Sequence, residues 1–214
     1  MPSSAISSQN FVVRVATANG TSKVISGATV ANPVVVTSTG HGLTNGTVVY
    51  IDSVVGMVEL NGRAFVIANV ATNTFELKGV DGSTYTAYSS GGTALPKTMT
   101  EVANVKNVTL FDGTTPEISV TNMRSRRQEY LIDIPDSGNG SLTIDIASPA
   151  DVGQERLRAL RTLTTSETFT AVLRDSRAAA FVAYVQSFPV NAGTGQAVGG
   201  QVALRITGEE AWFA

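Results

Sequence analysis

Few side chains in this sequence are suited to chemistry. The chain has one histidine and no cysteine, which excludes disulfides, thiolate metal sites and cysteine nucleophiles. His41 lies between two glycines, and no G-x-S-x-G nucleophile elbow is present to build a Ser-His-Asp triad with it. We interpret His41 as a turn residue whose imidazole holds its loop. We therefore predict no catalytic, cofactor-binding or metal-binding residue.

Two pairs of carboxylates are close in sequence, Asp133 with Asp136 and Glu209 with Glu210. Neither pair lies in a calcium-ligand pattern or an evident cleft, so solvated loop charges are the expected role. A hydrolase using Asp133 and Asp136 remains a distant alternative that would need a pocket and a perturbed carboxylate. The glycines of residues 193–200 lack the Lys-Ser/Thr of a phosphate loop, which favours a flexible connection.

The third candidate is a cluster of three arginines, Arg124, Arg126 and Arg127. Arginines bind phosphate or an acidic protein surface. Aromatic residues do not alternate with these arginines, and the net charge of the chain is −2, which argues against nucleic-acid recognition. The cluster therefore favours a protein–protein contact.

The composition indicates structure rather than chemistry. Hydrophobic residues make up 43% and charged residues 15%, which excludes a disordered chain. Neither a membrane-spanning apolar run nor an export signal is visible, so we expect a soluble protein. Val and Thr supply about a quarter of the residues, and short strands alternate with Asn-Gly and Gly turns. This pattern predicts a mainly β chain.

The strands divide into a host and an insert. Residues 28–95 hold four acids and two bases, and the remaining residues hold thirteen of each, so a compact acidic β module interrupts a neutral host. In the host, Leu142, Ile144 and Ile146 alternate with polar residues and predict a half-buried strand. One helix is expected to start at an N-cap Ser148 and to end near Thr164. Its predicted apolar stripe comprises Val152, Leu157, Leu160 and Leu163.

With the insert removed, the host resembles the major tail tube protein of long-tailed bacteriophages. Two stretches carry the resemblance within Asn10–Ile25 and Pro96–Gly208. The first runs from Val105-Lys106-Asn107-Val108 through Ile118-Ser119-Val120-Thr121-Asn122-Met123 to Arg127-Gln128-Glu129-Tyr130-Leu131-Ile132. The second runs from Gly140-Ser141-Leu142-Thr143-Ile144-Asp145 to Gln154-Glu155-Arg156-Leu157-Arg158-Ala159-Leu160.

The insert resembles a small β module that recurs in phage structural proteins and is named after a domain of ubiquitin-activating enzymes. The matching motifs are Thr39-Gly40-His41-Gly42-Leu43, Val48-Val49-Tyr50-Ile51, Leu60-Asn61-Gly62-Arg63, Thr74-Phe75-Glu76-Leu77 and Gly91-Gly92-Thr93. The module contains no catalytic residue, so the likeness does not imply ubiquitin chemistry.

The tail tube resemblance implies a β-sandwich with one flanking helix, discontinuous over residues 1–27 and 96–214, with the β module inserted at 28–95. It implies a structural protein whose hexameric rings stack into a conduit for DNA ejection. The implied partners are the protein itself, the tape measure, tail terminator and distal tail proteins, and DNA in transit, with no membrane. The implied location is the virion tail, assembled in the host cytoplasm.

Three expectations follow for the assembly. A lumen that passes DNA should be polar or acidic, and strand alternation nominates Ser141, Thr143 and Asp145, with Glu129 and Asp133 on the neighbouring strand. On the strand that carries Glu129 and Asp133, the side chains of Tyr130, Ile132 and Ile134 are expected to lie in the core. The loop with Arg124, Arg126 and Arg127 should reach the adjacent ring. The insert should be an outward decoration domain that has its own core and does not depend on the host.

Two alternatives remain open. A distal-tail or baseplate ring protein would share the same fold. A carbohydrate-binding adhesin module would use Tyr50, Tyr85 and Tyr88 for stacking on sugars. Electron microscopy of the purified protein discriminates them, since rings or tubes favour assembly and monomers favour the adhesin.

Overall fold

The computed structural model describes residues 9–213 and is mainly β with one α-helix, which confirms the predicted class. The elements are β1 Val12–Asn19, β2 Lys23–Val24, β3 Gly27–Ala28, β4 Val35–Thr37, β5 Val48–Val55, β6 Arg63–Ala68, β7 Thr74–Leu77, β8 Ser90–Glu101, β9 Val105–Thr109, β10 Glu117–Ser119, β11 Tyr130–Ile132, β12 Asn139–Asp145, α1 Val152–Leu163, β13 Glu167–Val172, β14 Ala178–Ser187 and β15 Gly199–Phe213. Within these described residues, no helix is both long and apolar enough to cross a membrane.

Insert and host share one antiparallel sheet. Its strand order is β3-β4-β7-β6-β5-β8-β1-β13-β14-β15-β12-β9, with β2 paired to β8 off this path, while β10 and β11 form a separate two-stranded ribbon. Strand β8 is the connection. It pairs with β5 from Ser90 to Lys97 and with β1 from Lys97 to Glu101. The module is therefore hydrogen-bonded into the host sheet.

The host core lies between the helix and one face of the sheet. Leu157 and Leu160 of α1 pack with alternate residues of β1, β13, β14, β15 and β12, among them Phe169 and Phe181, whose rings stack at 5.6 Å. Leu142 and Ile144 are fully buried in this cluster. The alternation read from the sequence of β12 is therefore confirmed.

The helix begins three residues later than expected. Asp151, and not Ser148, is the N-cap, because its Oδ1 accepts a hydrogen bond from the Gln154 N–H at 2.8 Å. Thr164 ends the helix in a left-handed conformation. The expected apolar stripe is also narrower, since Val152 and Leu163 are more than half exposed. The buried residues of the helix are Gly153, Gln154, Leu157 and Leu160, so the side chains of Val152 and Leu163 lie outside its buried face.

The module has its own core, as its aliphatic pattern predicted. Val49, Ile51, Phe65, Phe75 and Leu77 are fully buried together. This core forms because every second residue of the module strands β5, β6 and β7 points to the same face of the sheet, where these five side chains and Ile67 meet.

The other face of the module packs on the host, contrary to the expected independence. Val48, Ala64 and Val66 form a third buried cluster with the host residues Ala178, Ala180, Val182 and Phe213. Strand β14 is buried on both faces from Ala178 to Ala183, because the host core covers one face and the module the other. Small alanine side chains suit the segment from Ala178 to Ala183, because it is packed on both faces.

Polar contacts reinforce this interface. The buried Arg63 donates to the Glu210 carbonyl at 3.4 Å and forms an ion pair with Glu209 at 3.1 Å. A side chain at Gly79, where φ is +72°, would meet the Trp212 carbonyl at 2.7 Å, so close approach to β15 requires glycine there. The module thus contacts β15 at Glu209, Glu210 and Trp212, beyond the segment that pairs with β12.

An ion triad lies where β8 passes from module to host. Glu167 accepts hydrogen bonds from Lys97 and from Arg156, both at 2.7 Å. Burial raises the pKa of Glu167, but hydrogen bonds from Lys97, the Thr168 N–H and Arg156 outweigh it and hold the pKa below the usual value. The triad joins β8, β13 and α1.

Candidate assembly surface

A long hairpin, here called the arm, projects from the host sheet over residues 112–136. Its two strands β10 and β11 pair with each other and with no other strand. Every residue of the arm is exposed except the half-buried Ser125. A two-stranded ribbon is at best marginally stable alone in water, so the arm is expected to gain stability from a partner.

The arm carries more exposed apolar surface than a solvated loop requires. Its exposed large hydrophobics are Ile118, Val120, Met123, Tyr130, Leu131, Ile132 and Ile134. Ile132 is 73% and Ile134 81% exposed, so the expected core role of Tyr130, Ile132 and Ile134 is wrong. The apolar Leu131 already interrupts the alternation, and β11 lies on the arm and not beside β12, so both faces of the ribbon meet solvent. Contiguous exposed apolar residues mark an interaction surface.

Charge is segregated along the arm. The tip, residues 121–128, holds Arg124, Arg126 and Arg127 and no acid, whereas residues 129–136 hold three acids and no base. Among the described residues no side chain forms an ion pair with any of the three arginines. The tip is therefore positively charged, and the side chain of Met123 within it is fully exposed.

The predicted lumen residues Glu129 and Asp133 also lie on the arm. Glu129 follows the tip and accepts a hydrogen bond from the Ser125 hydroxyl at 3.0 Å. Asp133 accepts from the Ile134 N–H at 2.8 Å. Neither lies on a strand next to β12, so the structure separates them from Ser141, Thr143 and Asp145.

The base of the arm is anchored to β15. Arg205 donates one amino group to both oxygens of Asp136, at 2.8 and 2.9 Å, and the Ser137 hydroxyl donates to the Gly208 carbonyl at 2.6 Å. A hydrogen bond from the Gly138 N–H, followed by that from Arg205, lowers the pKa of Asp136. These contacts make Asp136 a structural anchor, with a pKa shifted away from that of a general acid.

An open cleft of about 790 Å³ lies between the arm base and β15. Its apolar surface comes from Ile134 and from Tyr184, which is 41% exposed. Glu209 and Glu210 add carboxylates, and the one cation of the lining, Arg205, is paired with Asp136. Sequence reasoning assigned Glu209 and Glu210 to a solvated loop, because it did not place β15 beside the arm.

The other lumen candidates share one polar face. Ser141, Thr143 and Asp145 are half-buried on the side of β12 opposite the core. Asp145 is paired with Lys106 of β9 at 2.6 Å, so its charge is balanced by a cation that the sequence interpretation did not include. This face is consequently polar and nearly neutral instead of acidic.

The module occupies the same face of the sheet. On β14, Ala180 and Val182 contact the module, and the next residue on that face, Tyr184, lies opposite Arg205 in the open polar region. The module thus covers one end of this face, and the residues around Ser141 occupy the other. The expected lumen position of Ser141, Thr143 and Asp145 and the expected outward position of the module therefore concern one and the same face of the sheet.

Strand β9 leaves the sheet with an open edge. Val105–Thr109 pairs with β12 on one side, and no other described strand pairs with β9. Unpaired strand edges associate readily with other strands. The open edge therefore adds a second candidate surface for assembly.

The residues considered for chemistry have structural roles. The His41 Nδ1 accepts from the Leu43 N–H at 3.0 Å, and the ring packs edge-on against Phe75, as expected of a turn residue. Tyr85 and Tyr88 are half-buried, with hydroxyl groups bonded to Arg63 and to the Ile25 carbonyl. In residues 9–213, no cluster of acidic or histidine side chains has the geometry of a metal site.

The comparisons with known proteins identify the insert. A family model described as "Ubiquitin-activating enzyme E1 FCCH domain" matches residues 31–96. The comparison with curated proteins found no match for this chain. The matched residues run from the connection before β4 into β8. The chain therefore carries, in its first half, a small β module similar to the FCCH domain.

Proposed function

We propose that this protein is a structural virion subunit whose hexameric rings stack into the tail tube of a long-tailed bacteriophage. The tube would conduct DNA at ejection, and the subunit would have no enzymatic activity. It would assemble in the host cytoplasm with the tape measure, tail terminator and distal tail proteins. The host resemblance over Asn10–Ile25 and Pro96–Gly208 motivates the proposal.

The arm is the observation that carries the proposal. The arm carries seven exposed large hydrophobics and a cationic tip without ion pairs among the described residues, which is the kind of surface that subunit contacts bury. Burial of apolar surface stabilises association by about 25 cal/mol per Å². Subunit contacts would supply this burial and would also order the ribbon. The tip with Arg124, Arg126 and Arg127 is the proposed contact with the adjacent ring.

Ring closure and the lumen follow from the sheet. The open edge of β9 would pair with a neighbouring subunit, which removes the edge from solvent. The polar residues Ser141, Thr143 and Asp145 would then border the conduit. The pairing of Asp145 with Lys106 leaves few unpaired cations to hold DNA there.

The same observations also fit a distal-tail or baseplate ring. Such a protein would close rings and would not polymerise into long tubes. The adhesin alternative has less support, because the hydroxyl groups of Tyr85 and Tyr88 are already bonded to Arg63 and to the Ile25 carbonyl.

Electron microscopy of the purified protein tests the proposal. Rings that stack into tubes are expected, and rings without stacks would indicate the baseplate alternative. Replacing Arg124, Arg126 and Arg127 together with alanine should preserve the circular dichroism spectrum and shorten the tubes. Replacing Arg158 and Arg161 of α1 with alanine is the matched control. A monodisperse monomer under all conditions would contradict the proposal.

A further inference from the structure

We infer that the cleft at the arm base receives the arm tip of a second copy of this chain. This deepens the proposed function, on which it rests, because it names the surface that the tip contacts. The tip and the cleft are complementary in charge: the tip has three arginines without ion-pair partners among the described residues, and the cleft has Glu210, which forms no ion pair there, beside Glu209, which pairs with Arg63.

The apolar groups match as well. Met123 at the tip is fully exposed, and the cleft presents Ile134 and Tyr184. A volume of about 790 Å³ accommodates several side chains of the tip. A flexible thioether beside an aromatic ring is a favourable contact. The cleft therefore offers an apolar surface to Met123 and carboxylates to the arginines that flank Met123 at the tip.

The tip cannot fill the cleft of its own subunit. The two sides of the arm are hydrogen-bonded from the Asp136 N–H with the Thr114 carbonyl to the Val120 N–H with the Glu129 carbonyl, which holds the tip at the far end of the ribbon. Full extension of the ten residues from Asp112 to Asn122 would place the tip at most about 33 Å from the base. The occupant must come from another copy.

A contact between two different surfaces of the same chain is head-to-tail, so it either closes a ring or continues along one direction. Pairing at the β9 edge is the proposed ring closure, and we therefore assign the arm contact to stacking. The expected repeat does not exceed the extended length of the arm, about 33 Å.

A charge swap tests this contact. The tip variant carries Arg124→Glu, Arg126→Glu and Arg127→Glu, and the cleft variant carries Glu210→Lys. Glu209 is left unchanged because it pairs with Arg63. Each variant should reduce the polymerised fraction about tenfold, since the mismatch repeats at every contact. The combined variant should recover most of the loss. Glu155→Lys, on the exposed helix face, is the control and should polymerise normally.

The outcomes separate the two proposals. Normal stacking of the tip variant would overturn both the stacking role of the arm and this inference. Loss of stacking in the tip variant, with normal stacking of Glu210→Lys, would leave the arm role intact and overturn the cleft. A combined variant no better than the weaker single variant would also overturn the cleft.

Cross-linking provides a measurement that needs no charge reversal. The chain lacks cysteine, so Met123→Cys and the exposed cleft residue Thr207→Cys introduce the only thiols. A short bismaleimide should join a Met123→Cys subunit to a Thr207→Cys subunit in mixed assemblies. Pairing Met123→Cys with Val58→Cys, exposed on the module, should give no product. Stacked assemblies without the first product would overturn the inference.

Discussion

The ion triad allows a quantitative prediction about how module and host are joined. Replacing Glu167 with Gln removes the carboxylate that Lys97 and Arg156 share. The Lys97 side chain is only 9% exposed, whereas Arg156 is 27% exposed and can turn toward water. The substitution therefore leaves one buried cation uncompensated.

The expected loss follows from that single charge. Removing one partner of a buried pair costs about 3–5 kcal/mol of unfolding free energy. We expect the lower end, about 3 kcal/mol, because the Tyr50 ring at 5.7 Å continues to stabilise the Lys97 ammonium. For a chain of this size the loss corresponds to a fall in Tm of about 6–12 °C. Glu155→Gln, in the exposed pair with Arg158, should cost less than about 0.5 kcal/mol.

The pH dependence supplies a second measurement. The pKa of Glu167 is lower in the folded chain than its usual value. The stabilisation by its carboxylate is thus complete above the usual glutamate pKa, about 4.3, and is lost as the pH falls through the lower folded pKa. The stability difference between wild type and Glu167→Gln should be full at pH 7 and should shrink below about pH 4.

Urea unfolding followed by circular dichroism and by Trp212 fluorescence measures these effects. The two signals should coincide, because the triad and the third cluster couple the module to the host. A loss below about 1 kcal/mol, or an equal loss in Glu155→Gln, would refute the reasoning about the buried charge. Lys97→Met added to Glu167→Gln should recover part of the loss, since it removes the unpaired cation.

Three further predictions concern the module, the arm base and the polar face. Replacing residues 28–95 with a Gly-Ser turn exposes the apolar residues of β14 that the module covers, so light scattering should detect aggregation; a soluble, monodisperse product would contradict the packing argument. Asp136→Asn breaks the anchor to Arg205, so amide exchange around the arm base should increase at pH 7; unchanged exchange would count against the anchor. Asp145→Lys places two cations together with Lys106, so assemblies should form but should retain added double-stranded DNA in a filter-binding assay; no retention would remove Asp145 from the lumen.

Local patterns in the sequence correctly indicated several features. Period-two alternation placed Leu142 and Ile144 in the core, because a strand with one buried face must alternate. The acidic composition and the motifs of the insert identified a β module, and the family match at residues 31–96 supports it. The glycines around His41 indicated a turn. Each of these depends on residues close together in the chain.

The sequence pattern was misleading on the arm. Tyr130, Ile132 and Ile134 are spaced two residues apart as core residues are, although the apolar Leu131 interrupts the pattern. Burial against a partner would favour the same residues as burial in a core. Periodicity records that a face is apolar and does not record what covers it. The segments Asp112–Pro116 and Pro135–Gly140, both rich in turn residues, were the available signal that the two strands leave the sheet together.

Tertiary structure alone decided the remaining features. The triad joins Lys97 to Glu167 across 70 positions, and Arg63 reaches the Glu210 carbonyl across 147. No local pattern marks such pairs, because their energy depends on which strands become neighbours and on how much water is excluded between them. The sequence by itself determined the β class, the module and the faces of its strands. The docking of module on host, the cleft beside β15 and the exposure of the arm arise only when distant strands meet.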